Sequence, residues 1–295
     1  MLSVLIPIYN QDVRKLVYAL ANQCTKAGIP FQILCFDDGS LPKYKEKNKE
    51  LAFKMNINYT ELPENLGRSR IRNWLGKAAY FEYLLFLDGD SGVRDKHFIK
   101  NYLSGLPYEG VVYGGRSYQK KKPANPKKIL HWKYGMRRES LSAKSRNKQP
   151  YLNFQSNNFL VPAKVFEKVH FQENVDGYGY EDLQYALQLQ KVGIPIKHIQ
   201  NPIFHDGLET NVQFIQKTKK SIENLIFLEK KKQIPKTRLQ DFNDKLKYFG
   251  LQSFVFFLLQ KSAPMIEKNL MSSRPSVILF NLWKLFIYLD KTQKK

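Results

Sequence analysis

Two aspartates separated by one residue end an apolar run in the sequence Tyr83-Leu-Leu-Phe-Leu-Asp-Gly-Asp90. The apolar residues predict a buried strand with Asp88 and Asp90 at its carboxyl end. Two carboxylates at a sheet edge can hold a hard divalent cation against a diphosphate. The same pattern also occurs in polar turns that follow strands. The other strands of the chain are therefore needed to distinguish a metal site from a turn.

Two earlier apolar runs also end on polar residues. Leu2–Ile8 ends in Pro7-Ile-Tyr-Asn10, and Phe31–Phe36 ends in Asp37-Asp-Gly-Ser40. Helical patterns separate the strands, and such alternation predicts a mainly parallel sheet with helices on both faces. Ligands of these sheets bind beyond the carboxyl ends of the strands. Three polar strand ends at one edge therefore favour a binding site.

The remaining elements vary in how clearly the sequence defines them. Helices are predicted from Asp12 to Gly28, over Pro42–Lys54 and after Asn65-Leu-Gly67, with a short strand at Ile57–Glu61. The segment Arg116–Lys148 holds twelve Lys or Arg residues and one acidic residue, without convincing periodicity. We predict a long, partly mobile loop there, with one helix near residues 129–134.

The composition describes a large, strongly basic chain. Its 295 residues are 43% hydrophobic, and 48 Lys and Arg against 26 Asp and Glu give a net charge of +22. This charge predicts a polyanionic partner, namely nucleic acid, an anionic membrane or a phosphorylated ligand, although a solubilising lysine surface would look the same. No apolar run reaches about 18 residues, and no secretory signal is expected. Cys24 and Cys35 are expected to be buried thiols in a reducing compartment.

The last part of the chain is predicted to be helical, basic and aromatic. Two apolar runs, Leu251–Leu259 and Val277–Leu289, are flanked by lysines. They are either core-facing helices of a small appendage or interfacial helices lying on a membrane. We predict one domain over residues 1–235 and a helical segment over residues 236–295 that binds a membrane or forms an oligomer contact.

The motifs, taken together and in this order, resemble those of the family 2 glycosyltransferases, over roughly residues 1–220. They are Pro7-Ile-Tyr-Asn10, Asp37-Asp-Gly-Ser40, Asn65-Leu-Gly-Arg-Ser-Arg-Ile-Arg-Asn73, Asp88-Gly-Asp90, Ser156-Asn-Asn-Phe159, Gly177-Tyr-Gly-Tyr-Glu-Asp182 and His205. The resemblance implies the GT-A fold, a nucleotide-sugar donor and kinship with bacterial enzymes that build cell-surface polysaccharides.

The resemblance assigns the nucleotide site residue by residue. Pro7, Tyr9 and Asp38 are implied to line the base pocket, where Asp38 can accept a hydrogen bond from the imide N–H of uracil. An ordinary turn is the alternative for the Asp37-Asp-Gly-Ser40 motif. Of the three arginines that follow Gly67, we choose Arg70 to face the nucleotide. Gly67 lets the backbone approach the ligand.

The resemblance also implies a metal site. Asp88 is placed on the ribose side, next to or among the metal ligands, and Asp90 on the cation that bridges the diphosphate. His205 is a further candidate ligand. An imidazole together with carboxylate and phosphate oxygens suits Mn²⁺ and tolerates Mg²⁺.

An acidic pair, Glu181 and Asp182, is the candidate catalytic group. By resemblance Asp182 takes the proton of the acceptor hydroxyl. The alternative is helix capping, because acidic residues are favoured in a first helical turn. That position would also lower the pKa of the base. Gly177 and Gly179 would allow this turn to close over substrate.

These observations predict a cytoplasmic, metal-dependent, inverting glycosyltransferase that uses a UDP-sugar. The charge and the C-terminal runs favour a saccharide acceptor on a lipid diphosphate, at the inner face of an anionic membrane. No nucleic-acid partner is expected. The alternatives are a nucleotidyltransferase, although a glycine-rich phosphate loop is missing from the sequence, and a basic nucleic-acid-binding protein.

Overall fold

A computed structural model describes residues 1–173 and 179–293. Ten strands occur in these residues and form two sheets. The strands are β1 (Leu2–Ile8), β2 (Phe31–Asp37), β3 (Ile57–Glu61), β4 (Tyr83–Leu87), β5 (Ser91–Gly92), β6 (Val111–Tyr113), β7 (Arg116–Ser117), β8 (Asn158–Pro162), β9 (Ile196–His198) and β10 (Ile203–His205).

The larger sheet has seven strands in the order β3-β2-β1-β4-β8-β6-β9. β1 runs parallel to β2 and to β4, β2 runs parallel to β3, and β6 runs parallel to β9. Only β8 is antiparallel to its neighbours β4 and β6. The mainly parallel sheet is therefore confirmed. The smaller sheet has the order β5-β10-β7.

Twelve α-helices occur in the same residues. They are α1 (Arg14–Lys26), α2 (Pro42–Asn48), α3 (Arg68–Ala78), α4 (Phe98–Leu103), α5 (Ile129–Tyr134), α6 (Ala143–Arg146), α7 (Ala163–Lys168), α8 (Glu181–Lys191), α9 (Asn211–Lys230), α10 (Arg238–Tyr248), α11 (Gln252–Met271) and α12 (Val277–Gln293). Two 3₁₀ turns cover Lys49–Phe53 and Pro126–Lys128, and a π-helical turn covers Gly135–Glu139.

The chain divides into two compact units. The first contains Met1–Tyr118, Glu139–Asn174 and Glu181–Gly207, and the second contains Gln119–Arg138, Val175–Tyr180 and Leu208–Lys295. This division by contacts differs from the predicted boundary after residue 235, because α9 groups with the helices that follow it. The predicted functional division at that boundary stays a prediction.

The first unit buries both faces of its central sheet. Side chains alternate along a strand, so Val4 and Ile6 enter one hydrophobic cluster while Leu5 enters the other. The same alternation separates Leu85 from Phe86 on β4. This explains why the strands read as continuous apolar runs, which are typical of a parallel sheet covered on both faces.

The second unit has its own hydrophobic core, and the two predicted C-terminal helices contribute to it differently. α12 buries Phe280, Trp283 and Leu289, so its apolar run faces the core of this unit. α11 has apolar residues on two faces. Its inner face contributes Leu259 and Ile266 to the core.

We call the opposite side of α11 the α11 outer face, formed by Phe254, Phe257, Leu258 and Met265. Their exposures are 61%, 54%, 49% and 71%. At 3.6 residues per turn, these four side chains and Lys261 fall within an arc of roughly 100°. No helix among the described residues is both long and apolar enough to cross a membrane.

The segment Arg116–Lys148 is more regular than the loop that we predicted. Helix α5 matches the predicted helix, and the π-helical turn and α6 follow it. Arg146 is buried, donates hydrogen bonds to the carbonyl oxygens of Gly114 and Ile199, and lies over the ring of Tyr113. Its charge therefore serves the fold, and the count of basic residues overstated how many could meet a ligand.

Burial and the contact with Arg146 together keep His198 neutral. The Nε of Arg146 donates to Nδ1 of His198 at 3.2 Å, and Nε2 of His198 lies 2.9 Å from the carbonyl oxygen of Pro150. Only a neutral ring satisfies both partners, because Nδ1 must accept a hydrogen bond. Burial, together with the charge of Arg146, lowers the pKa of His198 to about 4.

This histidine should make the fold sensitive to acid. Its pKa is lower in the folded chain than in the unfolded chain, so its stabilisation is complete above about pH 6.5 and is lost as the pH falls toward 4. The free energy of unfolding should drop by about 2 kcal/mol between pH 7 and pH 5 from this group alone. The free energy of unfolding of His198→Gln should depend less on pH than that of wild type. Urea unfolding of both proteins at pH 7 and pH 5 measures this dependence.

The surface variant His97→Gln is the matched control and should keep the wild-type pH dependence, because His97 is largely exposed. A pH dependence of His198→Gln equal to that of wild type would contradict the assignment of the acid sensitivity to His198.

Candidate active site

Hydrogen bonds join the ends of β1 and β2. The backbone N–H of Asp38 donates to the carbonyl oxygen of Ile8 at 2.8 Å. Asn10 has a φ of 54°, its N–H donates to Oγ of Ser40 at 2.8 Å, and its Oδ1 accepts from the N–H of Leu41 at 2.9 Å. Two of the predicted motifs are therefore held together at one edge of the sheet.

Asp37-Asp-Gly-Ser40 forms the turn that was the alternative interpretation of this motif. Oδ1 of Asp37 accepts from the N–H of Ser40 at 2.7 Å. Gly39 has a φ of +73°, and a Cβ at this position would lie 2.8 Å from the carbonyl carbon of Glu64. The backbone therefore passes closer to its neighbour here than any other residue type would allow.

Asp38 is buried and holds the segment that precedes α3. Its carboxylate accepts from the N–H groups of Leu66 at 2.6 Å and Gly67 at 3.2 Å. Burial raises the pKa of Asp38, and the two N–H donors oppose that rise. The structure shows this positioning role, and the predicted contact of Asp38 with a nucleobase stays a prediction.

The other residues assigned to the nucleotide surround this segment. Pro7 pairs with Phe36 in the register of β1 and β2, and the following Tyr9 is 54% exposed. Gly67 caps α3 with a φ of +83°. A ligand at this edge can reach an exposed aromatic ring and a backbone without a side chain at Gly67.

The three arginines of α3 have different environments. Arg72 is buried, and its guanidinium donates to Oδ1 of Asp88 at 2.6 Å. Arg68 donates to Oε1 of Glu181 at 3.0 Å. Arg70, the residue chosen from the sequence, is half-exposed, with its Nε 3.9 Å from a carboxylate oxygen of Glu173.

A sequence signal for this difference exists. Arg68 and Arg72 are four residues apart and share one side of the helix, whereas Arg70 lies about 200° away from either. Arg72 also directly follows the buried Ile71. Helical periodicity therefore favours Arg68 and Arg72 over Arg70 as the arginines that face the site.

The two aspartates after β4 differ in their partners. Oδ1 of Asp88 binds Arg72, and Oδ2 lies 3.4 Å from the guanidinium of Arg116. Oδ1 of Asp90 lies 3.3 Å from Nδ1 of His205. Burial alone would raise the pKa of Asp90, but the attraction of His205 and then of Arg116 outweighs it and lowers the pKa. Asp90 is therefore ionised near neutral pH.

The pair of Asp90 and His205 fits a divalent cation. Oδ1 of Asp90 is buried, and no described residue donates a hydrogen bond of good geometry to it. Two ligands at right angles around an ion with bonds of about 2.1 Å stand about 3 Å apart, close to the observed separation. No group of three or more His, Cys, Asp or Glu side chains within residues 1–173 and 179–293 is arranged as a full metal cage. Mg²⁺ sites often combine one or two carboxylates with substrate phosphates.

The acidic pair stands at the start of α8, and its two carboxylates have opposite properties. Burial raises the pKa of Glu181, but its ion pair with Arg68 outweighs this and lowers it. Burial and the charge of Glu181 raise the pKa of Asp182, which accepts a hydrogen bond from Oγ of Ser156 at 2.5 Å. The helix start was expected to lower the pKa of Asp182, and this expectation is wrong because burial and the adjacent carboxylate dominate. Gly177 lies outside the described residues.

Several contact residues of this site were missed in the sequence. Arg116 binds Asp88, and Glu139 binds Arg116 at 3.3 Å. Both lie in the basic segment that we interpreted as a loop, Arg116 at its first position and Glu139 in its second half. Glu139 is the single acidic residue between positions 116 and 148, and this isolation is a signal that it neutralises a buried basic partner.

Comparison with known proteins identifies the class of enzyme. The profile described as Glycosyl transferase family 2 matches residues 3–169. The chain belongs to this family and is a glycosyltransferase, which confirms that prediction over the nucleotidyltransferase and nucleic-acid-binding alternatives. Validoxylamine A glucosyltransferase of Streptomyces hygroscopicus subsp. limoneus is 29% identical over 227 residues, which cover 66% of this chain. The chain spans about half the length of the curated relatives it matches, 49% in this case.

Solved structures show the fold. Residues 1–349 of S. aureus TarS in complex with UDP match with a TM-score of 0.54 and 14% identity, over 99% of this chain and 91% of TarS 1–349. The mannosyltransferase PcManGT from Pyrobaculum calidifontis, in complex with GDP-Man and Mn²⁺, matches with a TM-score of 0.59 and 11% identity, over 99% and 86% of the two chains. The GT-A fold predicted from the motifs is confirmed.

The environment of Asp182 can be tested by two substitutions with opposite effects. Ser156→Ala removes a hydrogen bond to the carboxylate and should raise the pKa of Asp182. Glu181→Gln removes a neighbouring negative charge and should lower it. The measurement is a carboxyl ¹³C NMR titration of aspartate-labelled protein, with the Asp182 signal assigned by its loss in Asp182→Asn.

Glu167→Gln, an exposed substitution on α7, is the control and should leave this titration unchanged. Shifts of the same sign in Ser156→Ala and Glu181→Gln would contradict the two causes named here.

Proposed function

We propose that this glycosyltransferase transfers a sugar from a UDP-sugar to a saccharide acceptor, with inversion and with the help of Mn²⁺ or Mg²⁺. The observation that supports this proposal best is the ionised Asp90, whose buried Oδ1 faces His205 beyond the carboxyl end of β4. TarS was crystallised with UDP, and PcManGT with GDP-Man and Mn²⁺, which agrees with a nucleotide-sugar donor and a metal.

Asp90 and His205 are the residues that would hold the cation. A bound Mn²⁺ or Mg²⁺ would offset the charge of the diphosphate and help UDP to leave. Asp88 was predicted to lie on the ribose side and to be a metal ligand as well. Because both of its oxygens bind arginines, we favour the ribose side for it.

Asp182 is the proposed general base. Its carboxylate would accept the proton of the acceptor hydroxyl while that oxygen attacks the anomeric carbon in line, and the bond to UDP breaks with its electron pair on the phosphate oxygen. A raised pKa makes this carboxylate a stronger proton acceptor. The Ser156 hydroxyl would orient it, and Arg68 would keep Glu181 ionised beside it.

Paired substitutions separate the metal site from the base. Asp90→Asn should lose UDP–Mn²⁺ binding, because its oxygen would be the one protein carboxylate on the cation. Asp182→Asn should bind UDP–Mn²⁺ as wild type does and transfer sugar about 10²–10⁴-fold more slowly. Calorimetry measures binding, and a UDP-release assay across donor sugars measures transfer, with chelator as a further arm.

The exposed variant Asp241→Asn on α10 is the control and should match wild type in both measurements. Full turnover by Asp90→Asn, or by wild type in chelator, would exclude the metal assignment. Normal transfer by Asp182→Asn would exclude the base.

We further propose that the acceptor is linked to a lipid diphosphate and that the enzyme works on an anionic membrane, at the inner face of the cytoplasmic membrane. The second unit holds 25 of the 48 Lys and Arg residues but only 8 of the 26 Asp and Glu residues. Positive charge of this density attracts anionic lipids at about 1 kcal/mol for each Lys or Arg near the surface.

The α11 outer face is the part of this unit that would enter the interface. It is exposed and holds two aromatic rings, and Lys261 lies within it, with its ammonium 5.7 Å from the centre of the Phe257 ring. Aromatic and lysine side chains on one helix face are typical of helices that lie in a membrane surface. α12 does not share this role, because most of its apolar residues are buried.

Replacement of two exposed rings tests this surface. The double variant Phe254→Gln/Phe257→Gln should lose about 2 kcal/mol of binding to anionic vesicles, roughly a thirtyfold weaker partition. Co-sedimentation with phosphatidylglycerol vesicles and with neutral vesicles, at low and high salt, measures it. The control is Phe53→Gln, a ring that is 86% exposed in the first unit.

Wild-type protein that ignores anionic vesicles would exclude the membrane role. A change of oligomeric state in the double variant would assign the α11 outer face to a contact between copies of this chain instead.

A further inference from the structure

A series of side-chain contacts connects the two aspartates of Asp88-Gly-Asp90 through residues distant from them in sequence. All of its members belong to the first unit. In order, the members are Asp88, Arg116, Glu139, Tyr118, His205 and Asp90.

Glu139 is the centre of this series. Its Oε2 lies 3.3 Å from the guanidinium of Arg116 and accepts a hydrogen bond from the hydroxyl of Tyr118. Its side chain is 17% exposed, as is that of Arg116. One carboxylate oxygen therefore fixes both the arginine that binds Asp88 and the tyrosine on the other side.

Tyr118 extends the series to His205. The centres of the two rings are 5.5 Å apart, at an angle of 69°. The parallel pairing of β7 and β10 places Ser117 opposite Phe204, and Tyr118 and His205 are the next residues of the two chains. Tyr118 is 2% exposed and His205 is 8% exposed. A ring packed this tightly restricts the orientation of the imidazole.

This arrangement contributes little to the free energy of folding, so stability alone does not explain it. A largely buried arginine–carboxylate pair gains little stability over apolar residues of the same size, because both charges lose most of their water. Groups behind a metal ligand, in contrast, fix its orientation, and their loss typically weakens metal binding about 10–100-fold. The position of this costly pair behind Asp88 and His205 favours a role in the site.

We propose that Glu139 and Tyr118 are positioning residues for the cation and diphosphate site, an inference that rests on the proposed function. The ion pair with Glu139 holds the guanidinium of Arg116 against Asp88. The hydrogen bond from Tyr118 to Glu139 fixes the tyrosine ring, which orients the imidazole of His205 toward Asp90. One carboxylate therefore positions both sides of the site through its two neighbours.

Two conservative variants test this role. Tyr118→Phe keeps the ring against His205 and removes only the hydroxyl, and Glu139→Gln keeps the shape and removes the charge. Each should weaken UDP–Mn²⁺ binding about 10–100-fold, measured by calorimetry and by the Mn²⁺ electron paramagnetic resonance signal. The double variant should bind no more weakly than the poorer single variant, because the two residues act in one series.

Tyr102→Phe is the matched control. Tyr102 is also 2% exposed, and its hydroxyl donates to Oδ1 of Asn158 at 2.7 Å. It should change the free energy of unfolding by an amount similar to that of Tyr118→Phe, and it should leave UDP–Mn²⁺ binding as in wild type. If Glu139→Gln does not fold, Tyr118→Phe alone decides the test.

The outcomes separate this inference from the function on which it rests. Wild-type protein that fails to bind UDP–Mn²⁺ would contradict the proposed function. Wild-type protein that binds, together with folded Tyr118→Phe that binds equally well, would overturn the positioning role alone. Weakened binding in both Tyr118→Phe and Tyr102→Phe would show that Tyr118 acts only through the stability of the fold. This result would also overturn the positioning role.

Discussion

Repulsion among carboxylates at one edge of the central sheet is the constraint around which this site is arranged. Arg72 and Arg116 bind Asp88, and Arg68 binds Glu181. The arginines come from α3 and β7, so balancing the charge also fixes these elements to the sheet edge. Neighbouring carboxylates can then differ in acidity, as in enzymes whose acid and base roles are set by environment. Here the ion pair of Glu181 with Arg68 lowers one pKa, and burial raises the pKa of the adjacent carboxylate.

Much of the first unit could be predicted from the sequence. Apolar runs that end on polar residues are direct signals, because a covered parallel sheet needs continuous hydrophobic strands and exposes only their ends. The contact of Arg70 with the nucleotide stays a prediction, and the arginines of α3 show the limit of such signals. Helical periodicity places Arg68 and Arg72 on one side of α3, but only the tertiary structure shows that Asp88 is the partner of Arg72. Pairings between distant segments, such as that of Arg116 with Glu139, are set by tertiary structure alone.

The basic and C-terminal segments were harder to predict for a different reason. Composition cannot distinguish a lysine or arginine in solvent from one that holds backbone carbonyls, as Arg146 does. Apolar runs of similar composition can likewise face opposite ways. α12 turns Trp283 inward, whereas α11 exposes Phe254, because a helix with two apolar faces can bury only the one that meets its neighbours. Periodicity identifies the faces but does not say which of them is covered.

The two backbone hydrogen bonds of Asp38 have a consequence for protein engineering. This carboxylate holds Leu66 and Gly67, the residues that lead directly into the helix of Arg72. Replacing Asp38 to change which nucleotide is accepted would therefore also disturb the arginine helix, and a loss of activity would say little about base recognition. Tyr9, which the resemblance assigns to the base pocket and which is exposed at the end of β1, is the better first position for testing donor preference.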